Sequence, residues 1–176
     1  MITDNNQILT YHLPRWKELP ELDLYMDQII SIIDKYLSIF SPEDPEDKLM
    51  TPTMINNYVK QRIVSAPVGK KYDRPKVAFF LILALLKRVM SISELAQLKE
   101  YILTAYSFDL AYDTFCDEIE NAISYLFTGK DMDASPISLE CPDQHSAIRA
   151  ASVAFANKFY IQTLLSKKAE PETNKD

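Results

Sequence analysis

The sequence predicts a mostly helical, all-α fold, and three observations carry that expectation. Only 2 glycines stand against 10 prolines in 176 residues. Hairpins, bulges and phosphate-cradling loops need left-handed positions that glycine supplies, so a β-rich fold and a glycine-loop nucleotide site are nearly excluded. Apolar residues recur at helical spacing through most of the chain, and Ser, Thr or Asp stands before many of these stretches as a helix cap would. With 47% apolar residues the chain can bury a sizeable core, as one domain or two small ones.

Residues 1–20 are polar and punctuated by Pro14 and Pro20, with Trp16 the only tryptophan, and read as an arm lying on the fold. Glu21 to Phe40 reads as a helix, with Leu22, Tyr25, Met26, Ile29, Ile30, Ile33, Tyr36, Leu37 and Phe40 as its apolar positions. An acidic, proline-bearing linker, 41–50, ends it. A short helix follows from Pro52 to about Gln61, with Thr51 as cap and Pro52 at the first helical position. Ile63 to Lys71 is a loop containing Pro67 and Gly69. Asp73 caps the next helix, with Pro75 in its first turn, which runs to about Met90 and is apolar almost all round, so it should be central. Ser91 or Ser93 starts another helix, to about Tyr106. Asp109 to Phe127 is the next, stopped by Gly129. Residues 130–142 form a loop, Asp143 caps a last helix to about Lys167, and the polar segment 168–176 is expected to be disordered.

Several function classes are excluded early. Two Cys and two His are too few for a disulfide framework or, in most arrangements, a closed zinc site. Met1 to Leu13 lacks the basic and apolar regions of a secretory signal. The longest apolar run, Val77 to Leu86, is 10 residues, about half of what spans a bilayer. The expectation is a cytoplasmic protein without membrane contact. No nucleophile–base spacing and no zincin-type motif is present, so an enzyme is the least favoured class and no cofactor is expected.

Charge carries more information. The net charge of −6 argues against a nucleic-acid binder when taken whole. From Thr51 to Met90, however, Lys60, Arg62, Lys70, Lys71, Arg74, Lys76, Lys87 and Arg88 face a single acid, Asp73. A basic module on acidic flanks points to an anionic partner, the bland alternative being a solvated helix face. Within this segment Thr53, Asn56, Asn57, Lys60 and Gln61 form one polar stripe of the short helix, opposite Met54, Ile55, Tyr58 and Val59. Asn and Gln suit adenine edges in the major groove, and Lys suits guanine or phosphate. Lys70-Lys71-Tyr72-Asp73-Arg74 then has the chemistry of a wing: cations for phosphates, and an aromatic to anchor the loop. The alternatives are an ordinary amphipathic helix and an incidentally charged loop.

At these residues the sequence resembles the DNA-binding head of MerR-type regulators. Thr53 to Lys60 sits where that family has its recognition helix. Gly69-Lys70-Lys71-Tyr72 sits where its wing lies, and Asp73 to Val77 is similar to the start of its next helix. Val89 to Leu95 is similar to the hinge into its fourth helix. More closely, Leu13 to about Tyr125 resembles a bacterial family of uncharacterised proteins, a domain of unknown function with such a head. The matching stretches are Leu13 to Trp16, Asp23 to Gln28, Thr51 to Tyr58 and Ser91 to Leu95. The resemblance implies a winged helix-turn-helix-like head followed by a helical C-terminal body. Two departures stand out. Arg62 replaces a Gly after the recognition helix, at a cost of about 1 kcal/mol if the backbone there is left-handed. The linker is also far longer than a standard three- or four-residue turn.

The expected organisation is an N-terminal arm (1–20), the head (21–92, with linker 41–50), a dimerisation or effector body (93–167) and the tail. The expected function is transcriptional regulation as a homodimer on double-stranded DNA. Thr53, Asn56, Asn57, Lys60, Gln61 and Arg62 would face the groove, with Lys70, Lys71, Tyr72 and Arg74 forming the wing. A small-molecule effector is left open. The alternative is a helical protein-interaction adaptor whose basic face docks an acidic partner. Other features are weaker. Cys141-Pro-Asp-Gln-His145 is read as a helix-capping segment more than a redox or metal site, Cys116 as a small core residue, and His12 as lacking an identifiable partner. The aromatics Tyr101, Tyr106, Phe108, Tyr112, Phe115, Tyr125 and Phe127 read as core and dimer interface more than as a pocket for a flat ligand.

Overall fold

The computed structural model describes residues 5–41, 47–129 and 142–169. Seven α-helices lie among them: α1 (Asn5–Leu9), α2 (Met26–Leu37), α3 (Pro52–Lys60), α4 (Arg74–Leu86), α5 (Ile92–Ile102), α6 (Phe108–Thr128) and α7 (Pro142–Ala169). The two strands, β1 (Leu24–Tyr25) and β2 (Lys71–Tyr72), pair antiparallel, with Leu24 opposite Tyr72 and Tyr25 opposite Lys71. The fold is mostly helical, as the glycine count and helical periodicity predict.

Local chemistry sets the helix boundaries. The Thr51 hydroxyl accepts from the Met54 N–H at 3.2 Å, and Pro52 opens α3. Asp73 accepts from the Lys76 N–H at 3.1 Å and starts α4. Ser91 and Glu94 form a reciprocal capping box at the start of α5. Gly129, at φ 69°, gives α6 a left-handed stop and donates its N–H to the Tyr125 carbonyl.

Four boundaries differ from the sequence reading. Residues 21–25 are not helical: Leu24 turns into the core while Leu22 and Tyr25 stay exposed, and the segment pairs with β2. Helix α4 ends at Leu86, after which Lys87 ties back to the linker, Arg88 to the Phe40 carbonyl that precedes it, and a turn leads to the Ser91 cap. Helix α5 ends at Ile102 instead of about Tyr106. Helix α7 begins at Pro142, with Asp143 inside its first turn, and continues to Ala169. The loop expected at 130–142 lies outside the described residues up to 141, as do Cys141 and the tail beyond Ala169.

One apolar core runs through all of this. Every residue of α4 from Val77 to Leu86 is buried except Ile82, so the apolar helix is central, as its composition requires. It packs against α2, α6 and α7, while α6 and α7 form the most extensive helix pair. Phe40 joins arm, head and body, with Tyr11, Phe155 and Phe159 all edge-on to it at ring centroids of 5.0–5.3 Å. The segment 12–16 is clamped to α6. Asp113, Asp117 and Glu120 form an acidic stripe on α6. The Trp16 N–H donates to Asp113, and Arg15 pairs with Asp117 at 2.8 Å and Glu120 at 2.6 Å. His12, for which the sequence indicates no partner, pairs with Glu18 at 2.9 Å, because the short helix at Trp16–Glu18 brings that carboxylate back to it.

Candidate nucleic-acid interface

Helix α3 is two-faced. Ile55 and Tyr58 are buried, and Met54 and Val59 pack partly against the core. Thr53, Asn56, Asn57, Lys60 and Gln61 are all exposed, in the single stripe their spacing requires. Burial raises the Tyr58 phenol pKa, so this anchor stays neutral.

The helix ends in a Schellman turn. The Ile63 N–H reaches back to the Tyr58 carbonyl at 3.0 Å, and the Arg62 N–H to that of Val59 at 3.0 Å. Such turns need a left-handed residue, and Arg62 sits at φ 60°. Its side chain is exposed and extends the polar stripe by one cation. A side chain at this φ costs roughly 1 kcal/mol relative to glycine.

A tight hairpin follows. Val68 and Lys71 exchange both backbone hydrogen bonds at 3.0 Å around Gly69 (φ 57°) and Lys70 (φ 66°). Two consecutive positive φ values define a type I′ turn, whose twist suits a hairpin. Lys70 at the tip is exposed. Tyr72, in contrast, is 2% exposed and sits edge-on to Phe80 at 5.5 Å, fixing the hairpin to α4. Its phenol is likewise raised by burial.

The structure divides the basic residues of 51–90 into two groups. Lys60, Arg62 and Lys70 are exposed. The other five hold the fold. The Lys71 ammonium lies 4.9 Å from the Tyr25 ring centroid. Arg74 donates to the Pro20 carbonyl, pairs with Glu21 at 3.1 Å and lies over Trp16. Lys76 pairs with Asp73 at 2.7 Å. Lys87 donates to the Lys48 carbonyl, and Arg88 donates to the carbonyl of Phe40 and the side chain of Gln162. Burial lowers the pKa values of Lys87 and Arg88, and the Asp47 charge opposes both shifts. Asp47 therefore acts on the end of α4; Glu43, Asp44 and Glu46 lie outside the described residues.

Sequence reasoning missed a second polar cluster. Glu118 is fully buried in α6. It receives Arg149 Nε at 2.8 Å and Nη2 at 3.1 Å, and its Oε1 lies 2.8 Å from His145 Nε2. The available signal was an acid, Glu118, directly before the apolar Ile119 on α6, with His145 and Arg149 four residues apart on a later helix. His145 thus faces Glu118. Cys116 is buried, and its thiol pKa is raised by desolvation. Among the described residues no group of His, Cys, Asp and Glu is placed to hold a metal ion, and no helix is long and apolar enough to cross a membrane.

Comparison with known families places the chain. A family described as a domain of unknown function (DUF1836) matches residues 14–115, more than half of the sequence. The match covers the arm from Pro14, both strands, α2 to α5 and the first third of α6. No curated protein and no solved structure matches the chain.

Proposed function

We propose that this chain, which belongs to the DUF1836 family of domains of unknown function, binds double-stranded DNA through α3 and the hairpin that follows it. One observation carries the reading. An uninterrupted exposed stripe of amides, hydroxyl and cations runs from Thr53 to Arg62 beside a hairpin tipped by Lys70, while Ile55, Tyr58 and Tyr72 anchor the opposite side. Amide side chains fit base edges in the major groove, and exposed cations fit phosphates. The resemblance to a MerR-like winged helix-turn-helix head would make α3 the recognition helix and the hairpin the wing, and the order α2, α3, hairpin, α4, α5 is compatible with that reading. The connection through residues 38–51 would then replace the usual short turn. Binding as a homodimer, in which two short helices read a two-fold site, would supply the specificity one helix lacks. A role in cytoplasmic transcription regulation follows from this reading.

The structure changes the expected share of each cation. Lys70 should account for about one unit of the salt slope, and Lys71 and Arg74, already held by Tyr25, Trp16 and Glu21, for less. The test compares Lys70→Ala with Asn56→Ala on a panel of duplexes. Lys70→Ala should weaken all sequences alike, and Asn56→Ala should relax base preference. Identical effects of both changes on every duplex would remove α3 from the groove.

A second reading has its own observation. Leu22 and Val68, 80% and 78% exposed, flank the same hairpin. Exposed aliphatics beside cations suit a protein partner with an acidic, partly apolar surface. On that adaptor reading no duplex would be preferred over another.

A further inference from the structure

An apolar cavity of about 50 Å³ lies where α4, α5, α6 and α7 meet, walled by residues such as Phe79, Leu95, Phe115 and Ile148. Phe108 and Tyr112, from the aromatic-rich segment, also contribute to the wall. The Tyr112 hydroxyl is already bonded to the Pro14 carbonyl at 2.8 Å, so it offers the cavity little polarity. The one charged residue in the lining is Lys99 of α5. Lys99 also borders a wider, open cleft of about 410 Å³, together with Arg62, Ile63, Gln97 and Glu100. Two spaces therefore share the Lys99 side chain: an apolar one, and a polar one with two cations and one acid.

Neither cation is well satisfied. Lys99 Nζ lies 3.4 Å from the Ile63 carbonyl, 3.3 Å from the exposed Glu100 carboxylate and 5.0 Å from the Phe79 ring centroid. Charge-assisted bonds ordinarily close to about 2.7–2.9 Å. The Arg62 side chain makes no hydrogen bond or ion pair among the described residues, and Arg62 borders this cleft. A strained backbone at a position that lines a cleft is the kind of feature that marks binding sites.

We propose that this composite site binds a medium-chain aliphatic carboxylate, its chain end in the apolar cavity and its carboxylate between Lys99 and Arg62. The volume selects an alkyl end over a ring, because a cavity that admits benzene is about 150 Å³, three times larger. The two cations select an anionic head over an alcohol or amide. Binding would draw Lys99 away from the Ile63 carbonyl, in the turn that closes α3. Any effect on DNA through that turn rests on the function proposed above; the binding itself does not.

The only tryptophan reports on the site. Trp16 lies 5.9 Å from the Phe108 ring and 6.4 Å from that of Tyr112. The experiment titrates the full chain with octanoate, octanol and acetate, following Trp16 emission and the melting temperature. Octanoate should give a saturable change and raise the melting temperature, octanol should bind about tenfold more weakly, and acetate should do neither. Lys99→Met should bring octanoate to the level of octanol. Ala111→Leu, which fills the cavity, should abolish both; if that variant does not fold, Lys99→Met carries the test alone. The absence of saturable octanoate binding, equal affinity for octanoate and octanol, or an unchanged octanoate affinity in Lys99→Met would each overturn the proposal. DNA affinity is not part of the readout, so these results stand whatever becomes of the DNA-binding reading.

Discussion

Arg62 allows a test in which stability and binding move in opposite directions. Its backbone sits at φ 60° in the Schellman turn after α3, where glycine is the usual occupant. The left-handed conformation costs a side-chain-bearing residue about 1 kcal/mol. Glycine removes that cost but gives the unfolded chain extra freedom, of roughly 0.5 kcal/mol. The side chain is exposed and unpaired among the described residues, so its loss adds little to the balance. Arg62→Gly should therefore stabilise the protein by about 0.5 kcal/mol and raise its melting temperature by about 1–2 °C at this chain length. Arg62→Ala keeps a Cβ and with it the strain, so it should not gain. Both variants remove one cation from the proposed DNA face and should reduce the salt slope of DNA binding by about one unit. Calorimetric melting of the three proteins, with fluorescence anisotropy across a salt series, measures both effects. If Gly and Ala variants melt together, or Gly melts more than about 2 °C below wild type, the strain argument fails.

Three other substitutions or modifications probe the framework. Glu118→Gln removes the buried charge shared by Arg149 and His145. Losing one partner of a buried pair costs about 3–5 kcal/mol, but the Arg149 side chain is 34% exposed and can turn to water. A loss of about 2–3 kcal/mol is expected in urea melts, and one below about 0.5 kcal/mol would show that the cluster is incidental. Gly69→Ala meets no neighbouring atom within 4 Å, so its whole cost is conformational, about 1 kcal/mol, and thermal melting should show it without any change in far-UV spectrum. The Cys116 thiol is buried and held in its neutral form, so in a Cys141→Ser background it should resist a thiol reagent at pH 8 and react only at the rate of unfolding. Immediate reaction in the native protein would contradict its place in the core.

What the sequence reveals and what it hides divide along the range of the interaction involved. Thr51, Asp73, Ser91 and Gly129 act on backbone within four residues, so their roles as caps and stops are legible. The two faces of α3 are legible for the same reason, since side-chain spacing alone sets them. The strand Leu24–Tyr25 is not, because it exists only through pairing with residues 71 and 72, far along the chain; its apolar residues mimic a helical repeat. The charge count also misleads. Lys76 is engaged by a neighbour, but Lys71, Arg74, Lys87 and Arg88 are engaged by groups from distant segments, such as Tyr25, Glu21, Lys48 and Phe40. Spacing therefore overstates the basic surface. The Glu118 cluster and the cavity beside Lys99 arise from helices meeting, which no local pattern records.

The central claim is that α3 reads base sequence. The most direct measurement is selection of genomic fragments by the purified full chain at near-physiological salt, where non-specific attraction is weak. Wild type and the double variant Asn56→Ala/Asn57→Ala are run side by side. The account predicts an enriched inverted-repeat sequence for wild type that disappears in the variant. Equal recovery of all fragments by both proteins, or the same enriched sequence from both, would contradict it.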